Sequence, residues 1–140
     1  MIELNNVSYT YPRTVQPALH RITLSLEKGR CVMVTGPSGA GKSTLCLAAS
    51  GILHHEYGGK KEGSVVIEGR NVTEYSSLSA LAQNVGVVFD DPEAQMIFTT
   101  VEEEILSALE HRGLSAAVIE ERLAGIMKTT YLEELRDRSP

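Results

Sequence analysis

The sequence predicts an α/β fold: a P-loop core, an antiparallel β layer before it and a helical portion after it. Three observations carry this. Residues 36–44 read G-P-S-G-A-G-K-S-T, which is the Gly, four residues, Gly-Lys-Ser spacing of a phosphate-cradling loop. An apolar run precedes the loop (Cys31, Val32, Met33, Val34) and a helix-like run follows it (Leu45, Cys46, Leu47, Ala48, Ala49). The hydrophobic pattern also changes along the chain, from alternating, to continuous, to helical.

Residues 2–9 alternate loosely and read as a strand, broken by Tyr11-Pro12-Arg13. Ile22 to Leu26 alternate cleanly, and Glu27-Lys28-Gly29-Arg30 form a turn. Two alternating strands and then the continuous apolar run 31–34 predict an antiparallel layer beside a buried parallel sheet. The helix after the loop is expected to end near Gly51. Residues 54–63, H-H-E-Y-G-G-K-K-E-G, read as a polar surface loop. Residues 64–68 read as a strand, 69–71 as a turn and 77–83 as a short helix. Residues 85–89 (V-G-V-V-F) read as a second central strand. A helix is expected from Thr99 and Thr100, with a threonine cap, Glu102 to Glu104 in its first turn, and Ile105, Leu106 and Leu109 inward. Gly113 stops it. Residues 115–129 form another helix, with Val118, Ile119, Leu123 and Ile126 on one side, and 131–136 a short third one.

The loop chemistry follows from its residues. Glycines at 36, 39 and 41 permit positive φ and close backbone approach. Backbone N–H groups and the helix N-terminus face an anion there. Lys42 reaches the β- and γ-phosphates of a nucleotide, and the Ser43 hydroxyl can ligate the accompanying Mg²⁺. Pro37, Ser38, Ala40 and Thr44 complete the cradle. Upstream, Tyr11 beside Pro12 can stack on a nucleobase, against the plainer reading of a core or loop tyrosine. Thirty-five residues precede Gly36, room for a sheet that carries the base. Asp90, after the strand 85–89, stands where a polar group at a central strand end meets the ligand crevice.

With 140 residues, 42% hydrophobic and 22% charged, the composition is that of a globular chain with one moderate core. A net charge of −5 argues against a broad nucleic-acid face. No apolar run approaches the ~20 residues of a membrane span. The two cysteines, Cys31 and Cys46, lack metal-ligand spacing and read as buried thiols. His54 and His55 read as loop residues rather than metal ligands.

These motifs together resemble the ATP-binding subunit of ABC transporters. Tyr11 matches the family's adenine-stacking aromatic, residues 36–43 its Walker A, and residues 88–95 (V-F-D-D-P-E-A-Q) its Q-loop. The D-P-E-A-Q string, the T-V-E-E-E run and residues 51–59 look most like energy-coupling-factor ATPases, which drive uptake of vitamins or of cobalt and nickel ions. The resemblance implies residues 1–98 as the N-terminal part of the nucleotide-binding domain and 99–140 as part of its helical subdomain. It implies ATP and Mg²⁺ as cofactors, Lys42 and the Q-loop position Asp90 as catalytic, and Ser43 with Asp90 on the metal side. It also implies a head-to-tail partner ATPase subunit, a transmembrane subunit docking near residues 95–98, and a place on the inner face of the cell membrane.

Asp90 departs from the family's Gln: it is shorter and charged, which favours Mg²⁺ but repels the γ-phosphate. The family's signature, Walker B and switch histidine would follow Pro140, so the chain reads as an N-terminal portion expected to bind ATP without turnover. Alternatives are a non-transport ABC-type nucleotide-binding module and a P-loop small-molecule kinase.

Overall fold

The computed structural model describes the chain from Met1 to Pro140. It divides into two compact units, Met1–Val87 and Val88–Pro140. In the first, β1 (Ile2–Thr10) pairs antiparallel with β2 (Leu19–Leu26) on one edge and β3 (Lys60–Ile67) on the other. β4 (Arg70–Asn71) pairs with β3, giving the order β2-β1-β3-β4. The predicted antiparallel layer is therefore present, with β1 at its centre.

The loose alternation of β1 has a structural cause. Leu4, Val7 and Tyr9 are all buried, although a regular strand would point Leu4 to the opposite face from the other two. The pairing slips between Leu4 and Val7 against β2, and Asn6 takes φ +54°. Across on β3, a Cβ on Gly63 would stand 2.5 Å from the carbonyl oxygens of Asn5 and Asn6. The extra residue of this bulge shifts the inward parity by one, so both halves of the strand bury their apolar residues.

Three helices belong to this unit: α1 (Lys42–Ala49), α2 (Ile52–Glu56) and α3 (Leu78–Leu81). Ala48, Leu53 and Leu81 join Leu4, Tyr9, Val65, Ile67 and Val72 in one buried cluster. Each fully buried Leu or Ile there contributes roughly 1.5–3 kcal/mol. Helix α2 corrects the expected loop from His54. Gly51, at φ +76°, ends the α1 segment and packs so closely that a Cβ would lie 2.4 Å from the Leu81 Cδ2. The left-handed torsion turns the chain, and the amides of His54 and His55 donate to the Gly51 carbonyl at 3.0 and 3.4 Å to open a second helix.

In the second unit, α4 (Val101–Glu110) starts on the predicted cap: the Glu103 amide donates to the Thr100 hydroxyl at 3.2 Å. Helix α5 (Ala116–Thr129) packs on it through Leu109, Leu123 and Met127, with Ile105, Leu106 and Ile119 around them. Residues 119, 123 and 127 fall on one helical stripe, so Met127 takes the inward place expected of Ile126, which is 37% exposed. The expected third helix reduces to a 3-10 turn, Glu133–Leu135.

The largest departure concerns the two predicted central strands. Residues 31–34 and 85–89 are not strands, and Val32, Met33, Val34, Val88 and Phe89 are exposed. A strand forms only with a hydrogen-bonded neighbour, and the strand pairings of this chain join only β1 to β4. The thiols are likewise exposed rather than buried. Cys31 lies on the uncovered segment, and Cys46 points away from the stripe on which Thr44 and Ala48 are buried.

Candidate nucleotide site

The phosphate loop sits between the end of β2's hairpin and α1. Gly39 and Gly41 adopt φ +79° and +88°, the left-handed values expected of loop glycines. The Ala40 amide donates to the Pro37 carbonyl at 3.3 Å, closing a turn within the loop. Gly41 is the N-cap of α1 and offers no side-chain cap, and no acidic residue stands in the helix's first turn. The first amides of α1 are thus left for an external acceptor, with the helix dipole favouring an anion. No carboxylate competes for that position.

Lys42 is half-buried and folds over its own loop. Its Nζ donates to the carbonyls of Gly36 at 2.9 Å and Pro37 at 2.8 Å. This holds the ammonium beside the loop with one N–H remaining for a phosphate oxygen. Ser43 is exposed on the first turn of α1 and lines the same cavity as Lys42. It is the hard-oxygen donor that α1 supplies there, as suits Mg²⁺, which takes its remaining ligands from phosphates and water.

Tyr11 closes the other side of this site. Its hydroxyl and that of Thr44 share a 3.0 Å hydrogen bond, linking residues 33 positions apart. Thr44 is buried at 6% exposure. A cavity of about 350 Å³ opens here, lined by Tyr11, Ala18, Gly41, Lys42 and Ser43 among others. That volume falls within the range of small-molecule pockets, ~300–1,000 Å³. The structure thus brings Tyr11, Ser38, Gly39, Gly41, Lys42, Ser43 and Thr44 to one cavity. Gly36 and Pro37 are tied to it through Lys42, and Ala40 through the turn.

Asp90 belongs to the second unit and is exposed on a bend. The neighbouring Asp91 does the local structural work: its carboxylate accepts from the Ala94 amide at 3.2 Å, and its carbonyl accepts from the Gln95 side chain at 3.1 Å. These bonds close the 3-10 turn Glu93–Gln95. Beyond it, the Glu104 carboxylate accepts from the amides of Ile97 and Phe98, both at 2.9 Å. The segment 96–98 is thereby tied to α4 while Ile97 stays 81% exposed.

Sequence reasoning missed the Tyr11–Thr44 bond and the rings packed on Tyr11. Tyr9 lies 4.7 Å from it and Tyr57 6.4 Å, both nearly perpendicular. One available signal was scarcity: three of only five tyrosines converge here.

Comparison with known proteins bears on the same loop. The ABC transporter family model matches residues 19–140. Over 140 residues the chain is 50% identical to an ABC transporter ATP-binding protein of Methanosarcina mazei, covering 28% of that protein. It is 36% identical over 140 residues to the energy-coupling factor transporter ATP-binding protein EcfA of Methanosarcina acetivorans, covering 49% of it. The chain therefore spans about half or less of the length of these relatives.

Among solved structures, cbiO1 from Clostridium perfringens, part of the ABC transporter complex cbiONQ, superposes with a TM-score of 0.80 at 25% identity, over 99% of this chain and 53% of that one. A dimeric ATP-binding cassette in a post-hydrolysis state, bound to ADP and Pi, superposes with a TM-score of 0.75 at 24% identity, over 100% of this chain and 62% of that one. The latter likeness is one of fold. With the family model matched from residue 19 through the phosphate loop to residue 140, the chain belongs to the ABC transporter family, as an ATP-binding domain.

Proposed function

We propose that this chain binds ATP·Mg²⁺ as part of a transport ATPase subunit of the energy-coupling-factor type, which couples ATP hydrolysis to uptake of a vitamin or metal ion. The observation that carries the nucleotide reading is the Tyr11–Thr44 bond, because it puts an aromatic ring and a phosphate loop on one cavity. The adenine stacks on Tyr11. The amides of residues 36–44 and the α1 N-terminus hold the phosphates, Lys42 neutralises the β- and γ-phosphates, and Ser43 ligates Mg²⁺. Asp90 contributes a carboxylate on the metal side in place of the family's Gln. The energy-coupling-factor branch is supported by the name of one relative, the energy-coupling factor transporter ATP-binding protein EcfA.

In this reading residues 1–98 form the nucleotide-holding part and 99–140 a portion of the helical subdomain. A second ATPase subunit closes head to tail over the nucleotide. A transmembrane subunit docks at residues 95–98, where Met96, Ile97 and Phe98 present exposed apolar side chains, and the assembly lies on the cytoplasmic face of the membrane. No helix of the chain is long and apolar enough to cross a membrane.

Calorimetric titration of the 140-residue chain with Mg²⁺-ATP tests the core of the proposal. Lys42→Ala should weaken binding roughly 10- to 100-fold, the value of a charged hydrogen bond of ~1.5–3 kcal/mol. Equal affinity for the two proteins would overturn it.

A further inference from the structure

The ring of Tyr11 is held by groups that do not line the phosphate loop. The Tyr9 ring meets it at 4.7 Å and 82°, and the Tyr57 ring at 6.4 Å and 76°. Neither neighbour lies parallel to it, so neither takes the flat stacking contact a base would make. Tyr9 is fully buried, and its hydroxyl donates to the Gly58 carbonyl at 2.6 Å. Burial, with Tyr11 and Tyr57 close by, pushes the Tyr9 phenol above its ordinary range.

The turn after α2 fits against this pair without slack. A Cβ on Gly59 would stand 2.4 Å from the Thr10 carbonyl oxygen and 3.3 Å from the Tyr9 hydroxyl. On Gly58 it would meet the Pro12 ring at 3.5 Å. The turn thus fixes where Tyr57 stands, while Tyr57 itself remains 39% exposed and adds little to the core. The tip of Tyr11 is tied separately, through Thr44.

We infer that Tyr57 and Tyr9 are positioning residues for a planar nucleobase: with the Gly58-Gly59 turn they hold the Tyr11 ring ready before the nucleotide arrives. A free side chain must lose rotamer freedom when a ligand orders it, and a pre-ordered one does not. The inference rests on the proposal that Tyr11 stacks on the base. It adds that residues remote from the phosphates set how much the base contributes to affinity.

The test separates base from phosphate. Mg²⁺-ATP and Mg²⁺-tripolyphosphate, which lacks a base, are titrated into the same proteins, and the ratio of their affinities is read. Tyr57→Ala should lower the ratio roughly two- to tenfold, the range spanned by one aromatic pair, with tripolyphosphate binding unchanged. Tyr57→Phe keeps the ring and should restore the ratio. Tyr9→Phe keeps the core ring but releases the turn, and should lower it in the same direction.

Tyr11→Ala is the control for the underlying reading. If it lowers the ratio and Tyr57→Ala does not, the positioning inference is overturned and base stacking stands. If Tyr11→Ala leaves the ratio unchanged, base stacking falls and the inference with it. Equal losses for ATP and tripolyphosphate in Tyr57→Ala would mark a general structural defect and also overturn the inference.

Discussion

Gly41 offers the sharpest test of how the phosphate loop is built. It caps α1 at φ +88°, and a Cβ there would stand 2.5 Å from the carbonyl oxygen of Ala18. Gly39 has nearly the same torsion, φ +79°, with nothing within 4 Å of its would-be Cβ. Gly86 has neither a positive φ nor a neighbour within 4 Å. Replacing each with alanine therefore isolates two costs. A left-handed torsion costs a non-glycine residue ~1–2 kcal/mol, which is the whole expectation for Gly39→Ala.

Gly41→Ala adds a collision about half an ångström inside the closest real approach. Ala18 cannot simply retreat: its amide donates to the Tyr9 carbonyl at 2.8 Å, and the next residue, Leu19, pairs with Tyr9. Giving up that bond adds ~1 kcal/mol or more, for a total of ~2–4 kcal/mol. Gly86→Ala should lie within ~0.5 kcal/mol of the parent. Urea unfolding followed by tyrosine fluorescence reads this directly, since four of the five tyrosines lie in the first unit and tryptophan is absent. The midpoint should fall at constant m. If Gly41→Ala and Gly39→Ala cost the same within ~0.5 kcal/mol, the contact with Ala18 carries no weight and the reasoning fails.

Acid should loosen the second unit. Hydrogen bonding from Arg136 holds the Glu102 carboxyl below its ordinary value, and bonds from Thr99 and Thr100 do the same for Glu103. Depressed carboxyl pKa values give stability that is present above the unfolded-state value and lost as pH falls through the folded one. Helical circular dichroism should therefore decline on acidification below about pH 4, and less so in Glu102→Gln, where part of the dependence is absent. Leu123→Ala, at a site 6% exposed, should cost ~2–4 kcal/mol in this unit and leave the tyrosine signal of the first unchanged. The exposed apolar residues Val32, Met33 and Val34 should make the chain self-associate. A light-scattering mass that stays monomeric at all concentrations would refute that.

What the sequence disclosed depended on whether the determinant was local. The loop needed its glycines and lysine at fixed offsets, and both are sequence properties. The α4 cap was legible because Thr100 and Glu103 lie one turn apart. The α5 stripe was legible in part: the period was right, but its choice of Ile126 over Met127 depended on where α4 lies. The bulge at Asn6 was invisible because it is settled by the slip against both neighbouring strands. The Tyr11–Thr44 bond spans 33 positions and leaves no trace in either local pattern.

The two strands that did not form sharpen this distinction. Residues 31–34 and 85–89 have the composition of strands covered on both faces. That pattern reports a requirement, neighbours on each edge and each face, and no segment can meet it alone. Here Val32, Met33 and Val34 remain exposed, yet the phosphate loop that follows them is formed. Its shape is therefore not set by the strand before it. The Lys42 bonds to Gly36 and Pro37, the fit of Gly41 against Ala18 and the Tyr11–Thr44 bond all act from the loop itself or from the β1–β2 side. The antiparallel layer thus has a double role. It presents the aromatic ring to the cavity, and through Ala18 and Tyr11 it braces the loop that would receive the phosphates. Loss of the fit at Gly41 should then register on phosphate binding, whereas loss of Tyr57, whose ring lies 6.4 Å from that of Tyr11, should register on the base alone.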